Sequence, residues 1–207
     1  MFDELLSRYP ALCECSDDIS AANTAIIDTY ENGGKLLVCG NGGSCADSEH
    51  IVGELMKGFL SLRPLDEDYK NELKAANPEL DDEMLSSLQG ALPAISLTGH
   101  PGLSSAYLND VDPSLTFAQQ LFGLGNCGDI FIGITTSGNS KNVVKAAQLA
   151  KALGITVIGL TGQKGGKIKE IADVCICVPE TETFKVQELH LPVYHYLCAS
   201  AEAHFFG

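Results

Sequence analysis

The stretch Lys35–Ser44, KLLVCGNGGS, joins a short apolar run to a glycine-rich turn that leads into a helix-forming segment. Four more apolar runs of strand length follow it: Pro93–Thr98, Ile130–Thr135, Thr156–Leu160 and Val174–Val178. All five are almost continuously hydrophobic, as strands buried on both faces of a parallel sheet are. Helix-like segments alternate with these runs, so the pattern predicts a doubly wound α/β sandwich.

The predicted helices lie between the strands and at both ends of the sheet. They cover Ser16–Tyr30, Ser44–Gly58, Gly102–Gly123, Ser140–Leu153, Gly165–Ala172 and Lys185–His204. The acidic stretch Leu60–Gly90 interrupts this alternation, because connections in such folds are usually only ~2–6 residues long. We interpret it as a solvated surface insertion with one or two short helices. A lid or an oligomer contact is the alternative.

The composition restricts the class of protein. The chain has 207 residues, 45% of them hydrophobic, which predicts one domain over residues 1–207. Its net charge of −14 would repel phosphate backbones and anionic lipid, so we expect no direct nucleic-acid or membrane binding. The first nine residues do not resemble a signal peptide. We therefore expect a cytoplasmic protein whose eight cysteines are reduced thiols.

Two strand-to-helix junctions carry the residues most suited to binding an anion. The first, Gly40–Ser44, is here called the glycine loop, and its glycines allow close backbone approach to a ligand. The second, Thr135–Ser140, is called the hydroxyl loop, because four hydroxyl side chains surround one glycine. A hydroxyl cluster at a helix start can bind phosphate without a lysine. Neither loop has the Walker or dinucleotide-binding pattern.

Two further groups of residues could carry chemistry. His50 and Glu54 are spaced i,i+4 and therefore share one helix face, where they suit metal binding or acid–base catalysis. A surface or core pair would have the same spacing. Gln187, His190 and His195 lie on the C-terminal helix, where buried histidines often serve packing alone.

These segments together resemble the sugar isomerase (SIS) domain family, and within it the phosphoheptose isomerases. The resemblance covers nearly the whole chain except Leu60–Gly90. It rests on motifs that occur in the family's order at Gly40–Ser44, His50 to Glu54, Asn109-Asp110, Thr136–Ser140, Leu160–Gly162, Gln187–His190 and His195.

The resemblance implies a fold, an activity and a set of site residues. The fold is a three-layer sandwich with a five-stranded parallel sheet, assembled as a homotetramer with active sites between subunits. The activity is isomerisation of a phosphorylated sugar, sedoheptulose 7-phosphate to a heptose 7-phosphate. Thr135, Thr136, Ser137 and Ser140 would bind phosphate, and Asn41, Gly42, Gly43, Ser44, Asn109, Asp110 and Gln187 would complete the substrate site. Zinc would be held by His50, Glu54, Gln187 and His195, with Glu54 and His195 as the catalytic base and acid.

Some features depart from the family's pattern and leave questions open. Phe184 and Lys185 stand where relatives often carry a polar residue and an arginine, which leaves the sugar specificity open. Pro192 should kink the C-terminal helix. Gln187 and His195 are about 12 Å apart along an ideal helix. One ion can meet both only if the side chains converge, the helix bends, or different subunits contribute. The alternative function is a non-catalytic SIS protein that binds sugar phosphate or a partner, as replication-initiator-associating regulators do.

Overall fold

A parallel sheet of five strands forms the centre of the molecule. The computed structural model describes all residues, 1–207. The strands are β1 (Leu36–Cys39), β2 (Ala94–Ser96), β3 (Ile130–Thr135), β4 (Thr156–Gly162) and β5 (Val174–Val178), in the spatial order β2-β1-β3-β4-β5. Every neighbouring pair is parallel. The expected fold class is therefore confirmed.

Ten α-helices surround this sheet. They are α1 (Phe2–Arg8), α2 (Ser16–Glu31), α3 (Gly43–Met56), α4 (Glu67–Ala76), α5 (Asp82–Ser87), α6 (Pro101–Asp110), α7 (Thr116–Leu124), α8 (Lys141–Ala152), α9 (Gly166–Lys169) and α10 (Thr183–Phe206). None of them combines the length and the apolar character that crossing a membrane requires.

Two apolar cores lie on opposite faces of the sheet. Successive side chains of a strand point to opposite faces, so Leu36 and Val38 join the core under α2, α3 and α10, while Leu37 and Cys39 join the core under α7 and α8. Strands β1 and β3 are buried throughout. This double burial explains why the strand sequences are continuously apolar and do not alternate.

One predicted helix is wrong. Gly102–Gly123 is not a single helix, because a 3-10 turn at Pro113–Leu115 divides it into α6 and α7. Pro113 lacks the N–H that a continuing helix needs. The carboxylate of Asp112 accepts the N–H of Ser114 at 2.7 Å and so caps the new turn.

The insertion after α3 contains two short helices, as expected, and closes on itself. Pro64 pairs with Gln89 in an isolated antiparallel bridge, and Gly90 N donates to the Arg63 carbonyl at 2.7 Å. Helices α4 and α5 are capped by Asp66 and Asp81. The insertion is therefore an ordered excursion with its two ends side by side.

The N-terminal helix packs on the middle of the C-terminal helix. Helix α1, which the sequence reasoning did not predict, packs near α10 through the rings of Phe2 and Tyr196, whose centroids are 5.1 Å apart. Helix α10 runs without interruption through Pro192. The proline is buried and removes one backbone donor from the middle of the helix.

Candidate active site

The glycine loop and the hydroxyl loop meet where the strand order reverses. From β1 the chain continues to β2 on one side, while β3 lies on the other side, so the carboxyl ends of β1 and β3 form the switch-point crevice of the sheet. Asn41 Nδ2 donates to Asn142 Oδ1 at 3.0 Å, and Asn142 Nδ2 donates back to Asn41 Oδ1 at 2.9 Å. This amide pair joins the glycine loop to α8.

The hydroxyl loop presents donors at the start of α8. Thr135 Oγ1 and Ser140 Oγ are hydrogen-bonded at 2.9 Å, and Ser137 is exposed. Ser140 occupies the N-cap position but makes no side-chain capping bond. The first backbone N–H groups of a helix have no partner within the helix and favour an anion. The loop therefore offers hydroxyls and helix donors to a phosphate.

Gly138 determines the path of the hydroxyl loop. Its φ of +68° is in the left-handed region that favours glycine. A Cβ there would overlap the carbonyl oxygen of Gly165, because the loop is packed directly against the turn before α9. The glycine is thus needed for both its conformation and its lack of a side chain.

The glycine loop lies directly against the C-terminal helix. Gly42 has a φ of +58°, and a Cβ at Gly43 would come within 2.5 Å of Gln187 Nε2. The amide of Gln187 therefore borders the start of α3. Ser44 is only 3% exposed and packs beneath Gly40, so in this structure its hydroxyl is not accessible to a ligand.

A cluster of imidazoles and a carboxylate lies farther along α3. His50 Nε2 is 3.0 Å from Glu54 Oε1, and the rings of His50 and His195 are 5.0 Å apart. The Glu54 side chain is 13% exposed, and its second oxygen accepts from Lys57 Nζ at 3.2 Å. The structure thus brings together His50, Glu54 and His195 from α3 and α10.

Two residues that the sequence reasoning missed complete this cluster. The hydroxyl of Tyr194 donates to Asp47 Oδ1 at 3.2 Å. The oxygen of that tyrosine hydroxyl is also 3.1 Å from His50 Nδ1. His50 is therefore held between two polar groups, with Nδ1 facing the phenol oxygen and Nε2 facing the Glu54 carboxylate. Asp47 is one turn before His50 on α3, and this i,i+3 spacing was the available signal.

Burial affects the protonation of this cluster. It lowers the pKa of His195, an effect that a charge on His50 reinforces and the Glu54 carboxylate opposes. Burial raises the pKa of Asp47 against the hydrogen bond from Tyr194, and raises the pKa of Tyr194 as well. His195 is therefore biased towards the neutral imidazole that can exchange a proton.

Other predicted site residues lie apart from the cluster. Asn109 and Asp110 end α6, are exposed, and hydrogen-bond to each other at 2.8 Å. Gln187 borders Gly43, seven residues before His50 on α3 and therefore about 10 Å away along that helix. Within one chain, Gln187 does not join the other three predicted zinc ligands.

The donor types suit a metal ion better than their present positions do. Imidazole and carboxylate are suitable zinc ligands, and His195 Nε2 is buried without a partner. Yet no three His, Cys, Asp or Glu side chains converge as one bound ion requires, because His50 and Glu54 bond to each other. Of the four predicted ligands, His50, Glu54 and His195 lie near one another, whereas Gln187 borders Gly43.

The cluster and the loops are well separated within the chain. Glu54 is eleven residues beyond Gly43 on α3, which is about 16 Å along the helix axis. A seven-carbon sugar phosphate is roughly 10 Å long at about 1.5 Å per bond. A sugar phosphate with one end at Gly43 is therefore too short to reach Glu54 of the same chain.

Comparison with known proteins agrees with this architecture. Two SIS domain profiles match the chain, one over residues 103–199 and the other over residues 3–78. The phosphoheptose isomerase of Akkermansia muciniphila is 34% identical over 98% of this chain and 94% of its own length. That of Helicobacter pylori strain P12 is 40% identical over 87% of this chain and 80% of its own.

A solved structure has the same fold. The phosphoheptose isomerase from Neisseria gonorrhoeae superimposes with a TM-score of 0.76 at 30% identity, covering 98% of this chain and 95% of that one. The chain is thus an SIS-domain protein of the α/β sandwich class. Within that class, it belongs to the phosphoheptose isomerase family.

Proposed function

We propose that the protein is a sugar-phosphate isomerase that interconverts sedoheptulose 7-phosphate and a heptose 7-phosphate. The observation that carries this proposal is the pairing of the Glu54 carboxylate with the His50 and His195 imidazoles in a chain of this family. Residues of these types can move a proton between adjacent carbons, which the reaction requires. The hydroxyl loop supplies the phosphate site.

The reaction moves two hydrogens and leaves the composition unchanged. Glu54 takes a proton from C1 of the ketose while His195 gives one to the C2 carbonyl oxygen, which forms an enediol. Glu54 then returns its proton to C2, and His195 takes the proton of the O1 hydroxyl as the C1 aldehyde forms. Each residue ends in its starting state, so the pair turns over without any other proton donor or acceptor.

A zinc ion is part of the proposal. His50, Glu54 and His195 would hold it, and Gln187 would be the fourth ligand. When bound, zinc would polarise the carbonyl and stabilise negative charge on the oxygen. The chemistry of the donor set and the unpartnered Nε2 of His195 support this assignment.

An oligomer, expected to be a homotetramer, would join the separated parts of the site. A second copy could bring its Glu54 and His195 to the hydroxyl loop of the first. Leu103, Leu108 and Phe122 on α6 and α7 are 47%, 56% and 64% exposed, and contact with a second copy would remove this apolar surface from water. A cytoplasmic location, as the composition predicted, is also part of this proposal.

The principal test is Glu54→Gln with Glu49→Gln as its matched control. Both carboxylates lie on α3, but Glu49 is exposed and accepts only from Thr98 at 3.3 Å. Turnover of sedoheptulose 7-phosphate, followed by mass spectrometry with zinc supplied, should be lost in Glu54→Gln and retained in Glu49→Gln. Normal activity of Glu54→Gln would show that the assigned base is wrong.

Mixing two inactive variants tests whether subunits share a site. Glu54→Gln lacks the base, and Ser137→Ala/Ser140→Ala lacks phosphate donors. If one subunit supplies the loop and another the base, refolding an equal mixture should restore about a quarter of wild-type activity, because each half is intact with equal chance. An inactive mixture would place both halves in one chain.

The alternative is a non-catalytic SIS protein that binds sugar phosphate or a partner. Regulators of that type lack the carboxylate and histidine that correspond to Glu54 and His195, and this chain has both. Sugar-phosphate binding without turnover, with zinc present, would favour the regulator.

A further inference from the structure

Arg63 has an unusual backbone conformation, and each of its three side-chain nitrogens donates a hydrogen bond. Its φ of +49° is the one positive value outside glycine, although the side chain is buried. Nη1 donates to the Leu55 carbonyl at 2.7 Å, and Nη2 donates to the Glu54 carbonyl at 3.0 Å. These are last-turn carbonyls of α3, which have no partner inside the helix. The guanidinium also stacks on Phe206, 4.7 Å from the ring centroid.

The partner of Arg63 is a buried carboxylate of α10. Arg63 Nε donates to Glu202 Oε1 at 2.7 Å. The same carboxylate accepts the N–H groups of Phe59 at 2.7 Å, Leu60 at 2.6 Å and Ser61 at 3.2 Å. Burial alone would raise the pKa of Glu202, but these backbone donors and Arg63 together lower it. Glu202 therefore holds the segment after α3 as an anion.

The segment that Glu202 holds, Phe59 to Ser61, forms one side of a cavity next to His195. Phe59 and Leu60 line a cavity of about 280 Å³ together with His195 and α1. The Phe59 ring centroid is 5.5 Å from that of His195. The Arg63–Glu202 ion pair is thus linked to both catalytic candidates. Arg63 bonds to the backbone carbonyl of Glu54, and Glu202 holds Phe59, whose ring lies against His195.

We propose that Arg63 and Glu202 are positioning residues that set the relative geometry of Glu54 and His195. This inference rests on the proposed function. A buried ion pair contributes little net stability compared with apolar residues of similar size, so stability alone is a weak reason for it. Strained residues that are fully held by their surroundings occur most often at functional sites.

The test compares Arg63→Lys and Glu202→Gln with Asp129→Asn. Lysine keeps the charge but cannot donate to both carbonyls, and glutamine keeps the shape without the charge. Asp129 is the matched control, because it forms another buried ion pair, with Lys35 at 2.6 Å, at the amino ends of β1 and β3. That edge of the sheet is opposite the two loops.

The readouts are kcat, KM and the stoichiometry of substrate binding by calorimetry. Displacing catalytic groups by about 1 Å can lower a rate roughly 100-fold, so Arg63→Lys and Glu202→Gln should lose kcat by that order. Their KM and stoichiometry should stay near wild type. Asp129→Asn should lower the melting temperature and keep kcat per binding site.

Two results would overturn this role. One is wild-type kcat in either Arg63→Lys or Glu202→Gln. The other is a fall in kcat that merely matches a fall in stoichiometry, which would make the pair structural. If the wild-type protein itself isomerises no sugar phosphate, the proposed function is wrong and the positioning role has no reaction to act on. That outcome differs from the other two, in which wild type is active.

Discussion

Replacing His190 should make the protein less sensitive to acid. His190 is fully buried on α10, and neither ring nitrogen makes a hydrogen bond of normal geometry, although the Thr161 backbone lies close to the ring. Burial lowers its pKa from 6.5 to about 4. Between these values the unfolded chain binds a proton that the folded protein excludes, so stability falls as the pH falls through this window.

The size of the effect follows from the two pKa values. Between pH 7 and pH 5, this one histidine should cost about 2 kcal/mol of folding free energy. His190→Leu removes the titrating group and two unpartnered buried nitrogens. The variant should therefore be at least as stable as wild type at pH 7 and lose about 2 kcal/mol less on acidification.

Urea unfolding followed by circular dichroism measures this difference. Both proteins are unfolded at pH 7, 6 and 5 at one fixed protein concentration, because assembly would otherwise change the apparent stability. His204→Gln is the control, since His204 is exposed and pairs with Glu31 at the surface. It removes an imidazole from the same helix without changing a buried site. Parallel curves for wild type and His190→Leu would refute the reasoning.

Three other predictions concern the site. Gly138→Ala should raise the dissociation constant for sugar phosphate at least about tenfold, measured by calorimetry, because the Cβ displaces the hydroxyl loop; unchanged affinity would contradict this role. Asn142→Ala should raise KM more than it lowers kcat in initial-rate measurements, because the glycine loop loses its bond to α8; a change in kcat alone would count against it. Chelation should abolish isomerisation, and zinc should restore it, with metal content measured by mass spectrometry; full activity in metal-free protein would exclude a zinc role.

The strands and both binding loops were predictable because their signals are local. A strand buried on both faces must be apolar at every position, and β3 shows this directly. A sharp strand-to-helix turn often needs a residue with positive φ, which favours glycine. Gly42 and Gly138 both have positive φ values. The break between α6 and α7 within Gly102–Gly123 also has a local signal, because Pro113 cannot continue a helix. The sequence reasoning overlooked it.

The sequence by itself therefore determined the five strands and their order along the chain, the two loops and the i,i+4 pair of His50 and Glu54. Only the tertiary structure decided which residues meet across long separations, such as Asn41 with Asn142 and Arg63 with Glu202. It also decided that Gln187 borders Gly43 while His195 borders His50. The physical reason is that spacing within a helix fixes contacts only over one or two turns. Contacts between helices depend on how each one packs on the sheet, which no single segment of the chain encodes.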